Sequence, residues 1–336
     1  MKTSDDRVGG ATSSESSGQG DPPPRFGWFG LLTAALLAVL LWPAFNALER
    51  NRSQVLVVYA AQDQDFAEPV FQQFTLETGI KVLPLYDSEA VKTVGLAKRL
   101  LAERPHPQCD VFWGNEELRT RQLAAQKVFR ETNGWIHFGF RTRRVVINTN
   151  KVALASLPHP FKLSELTNAA WRGRVALAYP LFGSTSTHFL ALRQKWGETN
   201  WGQWCRALQA NRPFLVEGNS MVIRMVGRGE AWIGLTDWDD LVAGQKERLP
   251  IVGVPTTTET LLLRNTLGVI RNGPHPKPAE EFFNYLQRPE TVHQLVAHSA
   301  LEGLTPQALP HFEVDWDRVL DQLEPASAAL QQVFLR

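Results

Sequence analysis

The sequence predicts an α/β protein with two lobes, each a mostly parallel β-sheet flanked by helices, preceded by a transmembrane helix. Three observations predict this architecture. Apolar β-branched runs alternate with helical segments, polar residues follow the carboxyl ends of the predicted strands, and a charge-free apolar run lies near the N-terminus. With 336 residues, the chain is too long for one ordinary domain and fits two lobes of roughly 100–150 residues each.

The composition argues against several functional classes. The net charge is +1 and 43% of the residues are hydrophobic, which is typical of a globular chain and gives no field that would attract nucleic acid. The sequence contains no zinc-type Cys/His cluster, Walker loop or G-x-S-x-G motif. Its two cysteines, Cys109 and Cys205, are predicted to be buried free thiols, with a disulfide between the lobes as the alternative.

The N-terminal segment divides into a polar tail and an apolar run. Residues 1–25 are rich in Ser, Gly, Asp and Pro, which predicts a disordered tail. Residues 26–48 carry no charge and are long enough to cross a hydrocarbon core of ~30 Å, with Trp28 and Trp42 near the ends. A cleaved signal peptide is the alternative, although the polar leader is long and Phe45 stands where a small residue is expected. The run therefore predicts an uncleaved membrane anchor.

The first lobe is predicted at residues 53–147, and residues 268–336 are expected to return to it. Its strands are continuous apolar runs, and helices with capping residues at their ends separate them. Ligands of such sheets bind beyond the carboxyl ends of the strands, where this chain places the polar loops AAQDQD, YDSEA and WGNEE. The predicted strands are Val55–Tyr59, Ile80–Tyr86 and Cys109–Trp113, and Asp87 or Ser88 caps the second helix.

The second lobe is predicted at residues 148–267, with the strand Arg143–Val152 leading into it. A strand at Arg174–Pro180 is followed by Gly183–Thr187, which open a helix. Free backbone N–H groups, short hydroxyls and the positive end of the helix dipole meet there, which predicts an anion site. The alternative is that the Ser and Thr residues only cap the helix.

Three aspartates, Asp237, Asp239 and Asp240, follow the predicted strand AWIGLT together with Trp238. Their position at the carboxyl end of a strand predicts that they face the cleft between the lobes. Three interpretations remain open at this point. One aspartate caps a helix that begins at Leu241, two of them perform acid–base chemistry, or the group binds a cation.

The C-terminal part is expected to bring the chain back across the lobes. Crossover strands are predicted near Val145–Asn148 and Leu267–Arg271, and hinge motion would occur there. Two helices split at Pro289 follow, and Asp315–Leu335 is predicted to be one terminal helix.

Six stretches from Val55 to about Val296 resemble a known family in their order and spacing. They are VLVVYAAQDQDFAEPVFQQFTLETGIKV, YDSEAVKTVGLAKRLLAE, CDVFWGNEE, RVVINTNKV, GNSMVIRMVGRGEAWIGLTD and PAEEFFNYLQRPETVHQLV. The chain is similar to the ferric-ion-binding group of ABC-importer solute-binding proteins, the family 1 extracellular solute-binding proteins with the type II periplasmic binding fold. The resemblance implies a monomeric, non-enzymatic protein that closes on a solute and presents it to permease and ATPase subunits.

The resemblance also implies a set of ligand positions, and this sequence departs from it there. Ferric members bind iron through a histidine after the first strand, a glutamate after DVF and two adjacent tyrosines after the GL strand. Those positions hold Asp63, Asn115, Trp238 and Asp239 here. Oxygen ligands for a metal cation are still present, and the metal would be the transported ligand rather than a cofactor. The metal candidates are Asp63, Glu116, Asp237 and Asp239.

The sequence therefore predicts a membrane-anchored periplasmic or extracellular binding protein that captures a small polar ligand by hinge closure. The ligand is a ferric or other metal ion with a counter-anion, or a zwitterion such as an aminoalkyl phosphonate. The alternatives are a carboxylate-dependent hydrolase that uses Asp237–Asp240 and a membrane-tethered ligand-sensing domain. The candidate ligand-binding residues are Asp63, Ser88, Asn115, Glu116, Ser184, Thr185, Ser186, Asn219, Trp238 and Asp239.

Overall fold

The computed structural model describes residues 55–86, 92–306 and 309–335. The predicted tail at 1–25 and the predicted anchor at 26–48 lie outside these residues. Within them, no helix combines the length and the apolar character that a membrane crossing requires.

Apolar, β-branched runs form the strands of the described chain, and amphipathic segments form its helices. The strands are β1 Val55–Ala60, β2 Lys81–Tyr86, β3 Val111–Gly114, β4 Trp135–Asn148, β5 Val175–Ala178, β6 Phe214–Val216, β7 Ile233–Asp237, β8 Ile251–Gly253 and β9 Leu262–Val269. The α-helices are α1 Gln64–Thr78, α2 Lys92–Glu103, α3 Glu117–Ala125, α4 Gly183–Trp196, α5 Glu198–Ala210, α6 Asn219–Arg228, α7 Trp238–Lys246, α8 Pro276–Leu286, α9 Pro289–Ala297, α10 Trp316–Asp321 and α11 Leu323–Phe334.

The described strands join in the order β2-β1-β3-β9-β4-β7-β5-β6, and β8 pairs with β4. The outer pairs are parallel as predicted, namely β1 with β2 and β3, and β5 with β6 and β7. The central pairs are antiparallel, because β9 returns beside both β3 and β4. The sheet is therefore mixed, with two parallel groups on either side of an antiparallel centre.

Strand β4 connects the two groups. Its residues Trp135–Thr142 pair with β9, whereas Arg143–Asn148 pair with β7 and β8. We call β1, β2, β3, β9 and the N-terminal part of β4 the first sheet half, and the rest the second sheet half. The predicted two-lobed α/β organisation is supported by this division, and β4 passes from one half to the other between Thr142 and Arg143.

Each sheet half buries apolar side chains on both faces, as expected for a sheet covered by helices on two sides. In the first half, Leu56 and Val58 pack with α1 and α8 on one face, whereas Tyr59 and Phe112 pack with α2 and α3 on the other. The second half has two such clusters as well. The apolar cores lie between the sheet faces and the helices. The loops at the carboxyl ends of the strands are not part of these cores and can therefore form a site.

Several predicted boundaries are corrected by the structure. Strand β4 begins at Trp135 rather than at Arg143, and α7 begins at Trp238 rather than at Leu241. Asp237 is the N-cap residue of α7, so Asp239 and Asp240 fall inside its first turn. The predicted terminal helix is two helices, α10 and α11, which are separated at Gln322. The split at Pro289 is confirmed.

Cys109 and Cys205 are both buried and free, which confirms the predicted thiols. Burial raises the pKa of the Cys205 thiol to about 12 and also raises that of Cys109. These thiols are therefore protonated, packed groups rather than reactive ones.

Candidate functional site

A pocket lies between the loops that follow the strands of the two sheet halves. It is lined by residues from the starts of α1, α4, α6 and α7 together with Arg141 of β4. The lining residues are Asp63, Asn115, Arg141, Ala178, Tyr179, Phe182, Gly183, Ser184, Thr185, Glu217, Gly218, Asn219, Asp237, Asp239 and Asp240. The predicted loops AAQDQD and WGNEE and the aspartate group at 237–240 therefore contribute to one pocket, whereas residues 87–90 of YDSEA lie outside the described residues.

Four helices of the described chain start at this pocket without a side-chain cap. Their N-cap residues are Asp63, Phe182, Gly218 and Asp237, and none of these side chains accepts a hydrogen bond from its own helix. The first N–H groups of a helix have no acceptor within the helix and carry the positive end of its dipole. Uncapped starts that share a pocket form a favourable environment for an anionic group.

The start of α4 is shaped by a glycine. Gly183, its first residue, has a φ of +54°, which lies in the left-handed region that side chains disfavour. Nothing lies within 4 Å of the position that a Cβ would take there. The glycine is therefore required by the backbone conformation, and it leaves open space beside the first turn of α4.

Arg141 was not among the ligand-binding residues predicted from the sequence, yet its positively charged side chain lines the pocket. Its side chain is 2% exposed. Its Nη2 donates to Asp237 Oδ2 at 3.1 Å, and its Nε lies 3.3 Å from Asp239 Oδ1. Its Nη1 donates to the backbone oxygen of Asn115 at 2.8 Å and to Asn265 Oδ1 at 3.0 Å. Arg141 thus bonds to both sheet halves.

Arg143 forms a second buried centre beneath the start of α4. Its Nη1 donates to Asp237 Oδ1 at 2.5 Å, and the same guanidinium contacts the hydroxyls of Ser184 at 3.2 Å and Thr185 at 3.0 Å. The Asn219 side chain accepts from Arg143 at 2.9 Å and donates to Asp237 Oδ2 at 3.2 Å. These hydroxyl and amide groups are therefore held in place by the protein's own polar network.

The two aspartates beside Arg141 differ in their ionisation. Burial favours the neutral form of Asp237, but Arg143 and Arg141 outweigh it and hold the pKa of Asp237 below its ordinary value. For Asp239, burial dominates over Arg141, and the nearby Asp237 and Asp63 charges add to it, so its pKa rises to about 7. The arginines thus favour the ionised form of Asp237, whereas Asp239 exchanges a proton near neutral pH.

Glu116, predicted as a ligand, is not among the residues that line the pocket. Its carboxylate is fully buried and caps α3, accepting from the backbone N–H of Leu118 at 2.7 Å and of Arg119 at 3.2 Å. It also accepts a hydrogen bond from Thr187 Oγ1 at 3.0 Å. A carboxylate with these partners stabilises the start of α3 and its contact with α4.

The remaining candidates divide into residues that line the pocket and residues that do not. Asp63, Asn115, Ser184, Thr185, Asn219 and Asp239 all line it. Ser186 is buried within α4, and Trp238 is half-buried at the start of α7; neither belongs to the lining. Ser88 lies outside the described residues.

Sequence reasoning missed Arg141, Arg143, Tyr179, Glu217 and Gly218. The run Arg141–Arg144 resembles an exposed basic segment, because buried arginines are rare unless they are paired. The partner, Asp237, is 96 positions from Arg141. The usable signal was the alternation of Arg141 and Arg143, which places both side chains on one face of a strand.

Three carboxylates of the pocket lie close enough to share a metal ion. One oxygen from each of Asp237, Asp239 and Asp240 falls within 4.8 Å of the others. Two of the three face the Arg141 guanidinium at ion-pair distance. The acidic group is therefore already charge-compensated by the chain itself.

Comparison with known proteins decides the family. Residues 55–298 match the family of bacterial extracellular solute-binding proteins. The chain belongs to this family. The resemblance predicted from the sequence is confirmed, and membership makes the chain a binding protein rather than an enzyme.

Relatives of this solute-binding protein carry names that refer to ferric iron. The Fe(3+)-binding periplasmic protein of Serratia marcescens is 29% identical over 217 residues, which are 60% of this chain and 62% of that protein. The chain thus matches less than two thirds of that relative. The major ferric iron-binding protein of Neisseria meningitidis is 24% identical over 308 residues, covering 84% of this chain and 88% of the relative.

Solved structures of low sequence identity share the fold of this solute-binding protein. Iron-bound HitA from Pseudomonas aeruginosa superposes with a TM-score of 0.73 at 19% identity and covers 83% of this chain and 99% of its own. AfuA from Actinobacillus pleuropneumoniae, solved with exogenous fructose-6-phosphate, also gives 0.73, at 15% identity, with 83% and 98% coverage. These structures support the two-lobed periplasmic binding fold.

Proposed function

We propose that this protein is the extracytoplasmic solute-binding component of an ABC importer and captures a small polar solute that carries an oxyanion group. The observation that carries the proposal is the convergence of four uncapped helix starts on one pocket. The oxyanion would lie at the first turn of α4, where N–H groups are available. The lobes at 53–147 and 148–267 would close on the solute about β4 and β9.

The other end of the solute is expected to carry positive charge or hydrogen-bond donors. Asp63, Glu217 and Asp240 line the pocket beside the helix starts. A zwitterion such as an aminoalkyl phosphonate satisfies both sides, because its ammonium group would pair with carboxylates in a site that excludes water. Fructose 6-phosphate, the ligand named for AfuA, offers a phosphate and hydroxyl donors instead.

A second candidate is a ferric or other metal ion with a counter-anion. The carboxylate trio at Asp237, Asp239 and Asp240 favours it, as do the names of the relatives. The hydrolase alternative has no support from the comparisons, because they relate the chain to binding proteins.

Calorimetric titration of the full chain tests the proposed function. The panel consists of inorganic phosphate, 2-aminoethylphosphonate, fructose 6-phosphate and ferric citrate, with neutral fructose as the matched control for the phosphate group. We expect one oxyanion to bind and to raise the melting temperature by mass action, while fructose does not. Equal binding of fructose and fructose 6-phosphate would contradict an oxyanion site.

Membrane anchoring through residues 26–48 is a separate proposal that rests on the charge-free apolar run alone. Replacing Leu36 and Leu37 by lysine would place charge in the middle of that run. We expect the variant to move from the membrane fraction to the soluble extracytoplasmic fraction, and recovery of the unaltered chain in the soluble fraction would refute the anchor.

A further inference from the structure

The pocket already contains a cation that belongs to the chain. Arg141 lies at ion-pair distance from two of the three carboxylates that could share a metal, 3.1 Å from Asp237 and 3.3 Å from Asp239. Arg143 contacts the other oxygen of Asp237 at 2.5 Å. Both oxygens of Asp237 are thus engaged by guanidinium groups.

The Arg141 guanidinium is fixed rather than mobile. Its Nη1 is held by the Asn115 backbone oxygen and by Asn265 Oδ1, and Asn265 in turn donates to Gln62 Oε1 at 2.9 Å. A guanidinium stays protonated, and it offers only donors, so it cannot become a metal ligand. A metal ion at the carboxylates would have to displace this group or lie beside it against direct charge repulsion.

Two of the four positions that bind iron in the ferric group have lost their metal ligand here. Trp238 has no oxygen or imidazole to offer, and the backbone oxygen of Asn115 accepts from Arg141. Among the described residues that line the pocket, Tyr179 is the only tyrosine. A hard metal ion needs several unengaged anionic oxygens, and the chain has paired the most buried of them with arginine.

We propose that this protein binds its solute without a metal ion, with Arg141 as a built-in cation and the oxyanion group of the solute held directly at the helix starts. The inference rests on the proposed function and names its ligand class: phosphate monoesters or phosphonates that also carry an ammonium or hydroxyl group. The carboxylates of Asp63 and Asp240, which line the same pocket, would receive that second group.

A chelator experiment separates metal-dependent from metal-free binding. The full chain is titrated calorimetrically with 2-aminoethylphosphonate, fructose 6-phosphate and inorganic phosphate, each before and after exhaustive treatment with EDTA. Ferric citrate and Mn²⁺ are titrated separately. We expect oxyanion affinity to change less than twofold on chelation, and the metal ions to give no saturable binding.

Oxyanion binding that is lost with EDTA and restored by a metal would overturn the inference while leaving the proposed function intact. Saturable ferric or Mn²⁺ binding would overturn it in the same way. Absence of binding by every oxyanion and metal would instead count against both the inference and the proposed function.

A charge variant on the same strand gives a second test. In Arg141→Met the carboxylates Asp237 and Asp239 lose their shared cation, so Mn²⁺ binding is expected to appear and oxyanion affinity to fall at least tenfold. Arg144→Met is the matched control, because Arg144 pairs with Glu302 outside the pocket and should leave both ligands unaffected. If Arg141→Met fails to fold, the chelator series on the unaltered chain still decides the question.

Discussion

The Arg141 guanidinium and the Asp237 carboxylate form an ion pair at 3.1 Å that joins β4 to the end of β7, where β4 passes between the two sheet halves. Both side chains are at most 3% exposed. Arg143 completes the arrangement on the opposite oxygen of Asp237. One aspartate therefore compensates two buried cations that lie two positions apart on the same face of a strand.

Asp237→Asn is expected to destabilise the fold strongly. The amide would leave two buried guanidinium groups without their shared counter-charge, and breaking a buried pair in this way typically costs about 3–5 kcal/mol. Urea unfolding monitored by circular dichroism measures the loss. Glu313→Gln is the control, because that carboxylate is 90% exposed and pairs with His311 at the surface. Equal losses in the two variants would contradict the role assigned to Asp237.

Asp239 is expected to make stability depend on pH. Its pKa is about 7 in the folded protein, above the ordinary carboxyl value of the unfolded chain, because burial favours the neutral acid. The folded state therefore binds more protons than the unfolded state between pH ~4 and ~7, so its stability is lost as pH rises through this window. Asp239→Asn should flatten that part of the profile, as measured by urea unfolding at intervals of pH.

The lowered pKa of Asp237 acts in the opposite direction and at lower pH, so it does not mask the effect of Asp239. Arg141, Asp237 and Asp63 are the charges that act on Asp239 in the folded protein. An identical slope in the unaltered chain and in Asp239→Asn would show that another group titrates there.

The same proton is expected to influence solute affinity. Ionised Asp239 repels an oxyanion in the pocket, so affinity should fall as pH rises through about 7. The same ligand titrated against Asp239→Asn serves as the control for ionisation of the ligand itself. If the affinity of the unaltered chain instead increases with pH more than that of the variant, Asp239 contacts a cationic part of the solute.

Gly183→Ala tests whether the start of α4 binds the solute. Alanine is strained at a φ of +54°, so the turn that presents the first N–H groups should shift and solute affinity should fall about tenfold. Gly173→Ala is a closely matched control, because Gly173 also has a positive φ, of +66°, and open space around its Cβ position. Both variants should lose about 1 kcal/mol of stability, but only Gly183→Ala should lose solute affinity.

Glu116→Ala is expected to reduce stability without changing solute affinity. The carboxylate caps α3 and bonds to Thr187, so its removal should cost about 2 kcal/mol. Asp315→Ala removes a helix cap that makes no such buried second contact and should cost less. Thermal unfolding and calorimetric titration of both variants measure the two effects. A large loss of solute affinity in Glu116→Ala would restore Glu116 as a ligand.

Local patterns in the sequence were sufficient for much of the fold. The strand at Val55–Tyr59 and the helix that begins at Gly183 were predicted, because hydrophobic periodicity and helix-capping residues are signals that extend over only a few neighbouring positions. The N-terminal part of β4 was missed because His137, Gly139 and Arg141 interrupt its apolar pattern.

The candidate site was predicted only in part. Its loops follow from local patterns, but its buried ion pair depends on contacts between residues far apart in the sequence. The loops around Asp63, Ser184 and Asp239 follow strands, and parallel strands bring their ends to one edge. The pairing of Arg141 with Asp237 depends on β4 lying antiparallel to β7, which is a long-range arrangement that local periodicity does not encode. The sequence therefore predicted where the pocket lies but assigned the acidic group a cation from outside the chain.

The hydrogen bonds of Arg141 have one more consequence. They tie Asn115 and Asn265 of the first sheet half to Asp237 of the second. Any movement that separates the two sheet halves must therefore break hydrogen bonds of a buried guanidinium, so Arg141 is expected to resist opening of the pocket.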